Sequence, residues 1–179
     1  MSVLVFIEQR DGKVRSASRE ALGAAIAVAG ALGGEVVGVC PAAADPALAG
    51  LGDAGADRVL LATHPAFARY DAAGYASAVV QAVESVKPKL VLFPASAMGR
   101  DLAPRVAARL DVGLAADCTA LTAEGGTLTA KRPVYAGKAI QKVRFPKTPA
   151  IASLRPKVFS PVEGAHELVR VLREEAKLL

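Results

Sequence analysis

Four short, mainly apolar segments constrain the fold of this chain more than any other feature of its sequence. They lie at 3–7, 35–40, 58–62 and 89–93, and the segments between them are long enough to hold helices. The first is apolar throughout, and each of the others begins with one charged residue. Continuous apolar runs of this length are typical of strands that are covered on both faces, as in a parallel sheet. The alternation therefore predicts an α/β fold with a doubly wound, mainly parallel sheet and right-handed crossovers.

Three polar residues are placed to cap helices between these strands: Ser18, Asp71 and Asp101. Short polar side chains at such positions accept hydrogen bonds from the first free N–H groups of a helix. The helices predicted after them cover 19–32, 72–86 and 102–110, and a loop over 96–100 precedes the third. Gly33 and Gly34 supply the stop signal of the first helix.

The second half of the chain has a different pattern. Strands over 115–123 and 127–134 flank a Glu-Gly-Gly turn, 138–145 alternates apolar and polar residues, and 150–154 is apolar again. This pattern predicts antiparallel strands added to the parallel core. Prolines and a glycine then mark a linker before a charged, amphipathic helix over 163–179. We therefore expect one domain over 1–160 and a linker with a helical segment over 161–179.

Positive charge is concentrated in one segment. The net charge is +5, yet 131–157 holds eight basic residues and no acidic one, leaving 14 basic against 17 acidic residues elsewhere. Stacking residues are few there, and the segment has no RNP-like, KH-like or helix-turn-helix pattern, so we expect no nucleic-acid partner. A basic surface that faces a protein partner is the favoured interpretation. Its candidate contacts are Arg132, Lys138 and Arg144.

Glycines over 50–55 match the pattern G-x-G-x-x-G, but they lie in the wrong context for a dinucleotide site. That fingerprint must follow a strand and open a helix, so that helical N–H groups meet the pyrophosphate. Here the glycines follow a short helical piece and lead into the strand at Arg58. A helix-to-strand turn is the favoured interpretation.

Several other functions are disfavoured by what the sequence lacks. His64 and His166 lie in different segments without a ligand pattern around them, so no metal site is expected. No G-x-S-x-G elbow or phosphate loop is present, and no catalytic residue is assigned. Apolar runs are too short for a membrane span, and the opening segment lacks the basic start of a signal peptide. Cys40 and Cys118 are too few for a disulfide framework, and Cys118 is predicted to be a buried small apolar residue.

One loop is a candidate ligand or interface site because it leaves a buried strand and enters a helix. Ser96 offers a hydroxyl, Gly99 permits close backbone approach, and Arg100 offers a guanidinium beside a helix N-terminus that favours anions. The simpler alternative is that Asp101 caps the helix while Gly99 and Arg100 are ordinary loop residues.

Three segments resemble the N-terminal domain of the electron transfer flavoprotein alpha subunit. They are 3–8 (VLVFIE), 92–118 (LFPASAMGRDLAPRVAARLDVGLAADC) and 132–159, which includes RPVYAGKA and TPAIASLRP. The resemblance covers about residues 1–160, and GRDLAPRVAARL is its most specific part. It implies a sheet of the adenine-nucleotide alpha-hydrolase type.

The resemblance also implies a role. Members form a heterodimer of alpha and beta subunits that carries FAD and passes electrons from acyl-CoA and related dehydrogenases to a quinone oxidoreductase. Most FAD contacts lie in a second half of the alpha subunit that nothing in this sequence matches. We therefore expect an electron-carrier component that is not itself an enzyme, that acts as scaffold and subunit interface, and that binds no FAD alone.

Two secondary expectations complete the interpretation. The resemblance and the absence of a leader favour the bacterial cytoplasm, and the lack of asparagine is consistent with a heat-adapted source.

A stand-alone nucleotide-binding domain of the stress-protein type, using residues 96–101, is the alternative function.

Overall fold

The computed structural model of the chain describes residues 2–162 and 170–175. In chain order the strands are β1 (Ser2–Phe6), β2 (Gln9–Arg10), β3 (Lys13–Val14), β4 (Glu35–Ala42), β5 (Arg58–Thr63), β6 (Leu90–Pro94), β7 (Leu114–Cys118), β8 (Ala120–Glu124), β9 (Thr127–Val134), β10 (Ala139–Arg144), β11 (Ala150–Leu154) and β12 (Arg170–Glu175). The α-helices are α1 (Ser16–Leu32), α2 (Ala72–Val86) and α3 (Ala97–Arg109).

A seven-stranded parallel sheet forms the centre of the fold, in the order β12-β5-β4-β1-β6-β11-β7. This arrangement confirms the predicted doubly wound α/β class. From β1 the chain first moves to β4 and β5 on one side and later to β6 on the other. The strand order therefore reverses between β1 and β6, where open α/β sheets form a crevice at the carboxyl ends of their strands.

The apolar runs become strands with two buried faces, as predicted. Alternate residues of β1 belong to different core clusters: Val3 and Val5 pack with α1, whereas Leu4 and Phe6 pack with α2 and α3. All four are fully buried. The sheet consequently separates two apolar layers, and each needs a helical cover.

Both cysteines belong to the layer beneath α1. Burial, the main cause, raises the pKa of the Cys40 thiol to about 12 and that of the Cys118 thiol to about 11. The prediction that Cys118 is a buried small residue is confirmed.

The predicted cap at Ser18 is wrong. Helix α1 begins at Ser16, and Ser18 is a fully buried residue inside its first turn. Its hydroxyl accepts a hydrogen bond from the Glu8 N–H at 2.8 Å, so it serves the neighbouring loop instead of its own helix. The stop at Gly33 is confirmed, with φ of 64° in the left-handed region. Asp71 caps α2 as predicted and accepts from the Gly74 N–H at 2.6 Å.

The second half divides between two sheets. Strands β8, β9 and β10 form a separate three-stranded antiparallel sheet, which confirms the added strands. The predicted strand over 115–123 is two strands, β7 and β8, which are separated at Thr119. Asp117, whose φ is 59°, lies at an irregularity within β7, and Cys118 still pairs with Leu154 of the main sheet. The run over 150–154 is not antiparallel: it forms β11 and inserts in parallel between β6 and β7.

The helix predicted over 163–179 is wrong for 170–175, which form β12 in parallel with β5. Without β12, the outer edge of β5 would present unpaired backbone N–H and C=O groups, and strand pairing satisfies them. Residues 163–169 and 176–179, with His166, lie outside the described residues.

Candidate functional site

Helix α3 begins at the carboxyl end of β6, where the sequence predicts the ligand or interface loop. Ser96 is its cap, because its hydroxyl oxygen accepts from the Gly99 N–H at 3.0 Å. Asp101 is therefore not the cap, and residues 97–100 are helical instead of a loop. Ser96 satisfies the free N–H group one turn earlier than the predicted start.

Gly99 is essential to this geometry for a reason within the chain. A Cβ atom built on Gly99 would lie 1.8 Å from the carbonyl oxygen of Pro94. The first turn of α3 therefore packs directly on the backbone at the end of β6. The predicted close approach exists, but it is to the chain's own carbonyl.

Asp101 joins two elements through its carboxylate. It accepts from the Tyr70 hydroxyl at 2.7 Å and from Arg105, one turn along α3, at 2.9 and 3.1 Å. The Arg105 guanidinium, followed by the Tyr70 hydroxyl, holds the pKa of Asp101 below its usual range. Burial and the Asp101 hydrogen bond raise the pKa of Tyr70, so its hydroxyl stays protonated as a donor. Asp101 thus fixes the segment before α2 to α3.

Arg100 points away from this pair and toward the end of β7. Its guanidinium lies 3.9 Å from Asp117, which also accepts a two-point contact from Arg155 at 2.6 and 3.2 Å. The Arg100 side chain remains 64% exposed. Arg100 and its neighbour Asp101 therefore contact different partners, because successive helical residues project in different directions.

Arg155 is the main cause that lowers the pKa of Asp117, with smaller contributions from Arg100 and Arg132. A carboxylate with a lowered folded-state pKa stabilises the fold above its unfolded pKa, and the stabilisation is lost as the pH falls through the folded value. We expect Asp117→Asn to lower the free energy of unfolding by about 1 kcal/mol at neutral pH, since solvent screens part of the contact. The difference between the two proteins should disappear in acid. Urea unfolding of both proteins from pH 7 downward measures it, and a constant difference at every pH would contradict this role.

A cleft of about 650 Å³ lies beside α3 at the point where the strand order reverses. Its lining comes from the segment after β1, the end of β4, the segment before α2 and the start of α3. This is the crevice that parallel α/β sheets use for ligands. The sequence analysis missed Glu8 as a lining residue, although its position directly after a buried strand is a signal that could have found it.

Glu8 closes the cleft toward α3. Its carboxylate accepts a hydrogen bond from the Ser96 hydroxyl, which itself accepts from the Gly99 N–H. Its backbone is held on both sides, because its N–H donates to Ser18 and its carbonyl accepts from the Arg15 N–H at 2.9 Å. The N-terminus of α3 is thus occupied by a negative charge of the chain itself.

The basic candidates of the antiparallel sheet do not share one face. Lys131 lies opposite Lys142, and Arg144 follows on the same face of β10. Arg132 lies opposite Gln141 and therefore points to the other face, toward the main sheet. Its Nε is buried without a hydrogen-bond partner in the described part of the chain.

Other basic residues of the segment lie away from this face. Lys138 follows a 3-10 turn over Tyr135–Gly137, at the exposed end of the sheet. Lys147 pairs with Asp111 at 2.6 Å, outside this sheet. The prediction that the basic residues share a single face is therefore wrong. Lys131, Lys142 and Arg144 do share one exposed face of the antiparallel sheet.

Two properties of the described residues bear on function. Their His, Cys, Asp and Glu side chains form no group of three or more that could hold a metal ion. None of the helices in 2–162 has the length and apolar character that crossing a bilayer requires.

The fold and the site define a doubly wound α/β domain. At the point where its strand order reverses, the Glu8 carboxylate and Ser96 occupy the N-terminus of α3. The sequence matches the Electron transfer flavoprotein domain family over residues 3–177. It is 37% identical to the electron transfer flavoprotein subunit alpha of Bacillus subtilis over 155 residues, which cover 86% of this chain and 47% of that protein.

Two further relatives broaden the comparison. Protein FixB of Clostridium saccharobutylicum is 35% identical over 179 residues, 98% of this chain and 54% of its own. The acryloyl-CoA reductase electron transfer subunit beta of Anaerotignum propionicum is 30% identical over 194 aligned positions, 94% of this chain and 53% of its own. The chain belongs to the electron transfer flavoprotein family and corresponds to the N-terminal domain of the alpha subunit. It spans about half the length of these relatives.

Proposed function

We propose that this chain is the scaffold and subunit-interface domain of an electron transfer flavoprotein alpha subunit, within a heterodimer that also contains a beta subunit. The observation that carries the proposal is the family match over 3–177, joined to relatives about twice as long. The domain belongs to an electron carrier and performs no catalysis of its own. The complete heterodimer transfers electrons from acyl-CoA and related dehydrogenases to a quinone oxidoreductase, as in fatty acid β-oxidation.

FAD belongs to the complete heterodimer in this proposal, and its binding residues lie mainly in the half that this chain does not span. The described residues do not fit its pyrophosphate. Glu8 and Ser96 occupy the N-terminus of α3, and glycines 50–55 lead from a 3-10 helix into β5 instead of opening a helix. A pyrophosphate needs free helical N–H groups. We expect the isolated chain to be colourless, and a stoichiometric flavin spectrum would contradict this assignment.

The antiparallel sheet is the proposed contact with the beta subunit. Tyr135 and Ile140 are 80% and 60% exposed there, and Ile140 shares one face of β10 with the exposed cations Lys142 and Arg144. Exposed apolar residues bordered by polar side chains are typical of protein interfaces. At the other candidate site, we propose that Arg100 provides an interface contact, whereas Ser96, Gly99 and Asp101 maintain the local fold.

Charge reversal tests this interface. We expect the chain to copurify with the beta subunit from the same source. The triple variant Lys131→Glu, Lys142→Glu, Arg144→Glu, which reverses the three exposed cations that share one face, should lower the affinity about tenfold or more. The matched control replaces three exposed cations outside the three-stranded sheet by glutamate: Arg10, Lys13 and Lys87. Failure of the unmodified chain to bind would contradict the proposed function. Equal losses in both triple variants would contradict only the interface.

A stand-alone nucleotide-binding domain of the stress-protein type is not favoured. The family match opposes it, and so does the Glu8 carboxylate at the N-terminus of α3. We further propose a bacterial, cytoplasmic setting, supported by the bacterial sources of the relatives. The absence of asparagine supports a heat-adapted source.

A further inference from the structure

The cleft at the strand crossover has the size and position of a small-molecule site. Its volume of about 650 Å³ lies within the usual range for such sites. It adjoins the carboxyl ends of β1 and β4, where the backbone leaves the sheet. The proposed role as subunit interface makes no use of this space.

One side of the cleft is aromatic. Phe67 and Tyr75 are almost fully buried and meet edge to face, with ring centroids 5.2 Å apart, and Tyr70 meets Tyr75 at 5.0 Å. All three line the cleft with the thioether of Met98. Only Tyr70 and Met98 are partly exposed and able to contact a ligand directly, whereas Phe67 and Tyr75 belong to the core behind them. Rings and a polarisable sulfur fit a flat, aromatic ligand.

The polar lining is rich in hydrogen-bond acceptors. Glu8 contributes a half-buried carboxylate, whereas the carboxylates of Asp11 and Asp45 are exposed. The cations of the lining, Arg10 and Arg69, are solvent-exposed, and Arg10 lies 3.9 Å from Asp11. Water and salt screen exposed charges, so these arginines attract anions weakly and Glu8 is the carboxylate with the strongest local effect. Ligand groups that donate hydrogen bonds, such as amines, match this lining.

Glu8 places a negative charge at the side of the cleft next to α3. It lies at the N-terminus of α3, where a phosphate would otherwise bind, and its backbone contacts to Ser18 and Arg15 hold it there. A phosphate in that place would meet a fixed negative charge at short range. We propose that the cleft binds a flat heteroaromatic amine without a phosphate group, and that Glu8 is the residue that excludes phosphorylated analogues.

Adenosine and AMP test this proposal, because they share a flat ring with an exocyclic amine and differ by one phosphate. We expect millimolar adenosine to shift the backbone amide NMR signals of Gln9 and Met98 in the full chain, and AMP to bind about tenfold more weakly. The proposal is overturned if adenosine leaves these signals unchanged or if AMP binds as tightly.

The variant Glu8→Gln then tests the effect of the Glu8 charge alone. Glutamine keeps a hydrogen-bond acceptor for Ser96 and removes the negative charge, so AMP should bind nearly as tightly as adenosine. Glu84→Gln is the matched control, since Glu84 is exposed near the C-terminal end of α2. It should leave the preference for adenosine intact. A preference that persists in folded Glu8→Gln would contradict the assignment to Glu8, and the comparison in the unmodified chain remains decisive if that variant does not fold.

Discussion

Replacing Gly99 by alanine is expected to lower the free energy of unfolding by about 3 kcal/mol, near the upper end of the usual cost of overpacking. The added Cβ would lie 1.8 Å from the Pro94 carbonyl oxygen, and both groups are backbone-anchored. Relief requires α3 to move away from the end of β6. That movement would also disturb the hydrogen bond between Ser96 and Glu8. Urea unfolding of both proteins measures the change.

Gly30→Ala is the matched control for this substitution. Gly30 lies in α1 and is exposed, and a Cβ atom built there meets nothing within 4 Å. Alanine should therefore stabilise the protein by roughly 0.5–1 kcal/mol through its better helix propensity. Equal effects of the two substitutions would show that the close packing at Gly99 has no energetic importance.

Phe6→Ala should cause the largest loss of stability, about 3–5 kcal/mol. Phe6 is fully buried in the central strand, and its ring centroid lies 5.6 Å from that of Phe93 and 6.4 Å from that of Tyr75. Alanine leaves a cavity between the sheet and α2. Because total stabilities are often only 5–15 kcal/mol, thermal unfolding should reveal a greatly lowered midpoint.

Tyr135→Ala provides the comparison for that result. This tyrosine is 80% exposed, so its truncation should change the free energy of unfolding by less than about 0.5 kcal/mol. A Phe6→Ala protein as stable as Tyr135→Ala would mean that the aromatic cluster beneath the cleft is not part of the cooperative core.

Local patterns predicted the parallel core because strands with two buried faces have an apolar signature of their own. They could not choose between neighbouring capping residues. Ser96 and Asp101 are equally good caps by residue type, and the choice of Ser96 depends on how closely Gly99 can approach Pro94. That approach is a tertiary contact without a local signal.

The candidate site depended still more on distant contacts. Glu8 and Ser96 are 88 positions apart, and Asp117 and Arg155 are 38 apart. Likewise, the sequence over 150–154 predicts a strand, but its parallel direction depends on its pairing with β6 and β7. Sequence patterns therefore identified the elements and left their partners undetermined.

The two buried thiols can report local opening of the structure through their rates of alkylation. Cys40 lies in β4 and Cys118 ends β7, on opposite sides of β1 in the sheet. A thiol is alkylated as its thiolate, so each cysteine reacts only after the structure around it opens. The two alkylation rates, resolved by peptide mass, would show whether the two sides of the sheet unfold as one unit or separately.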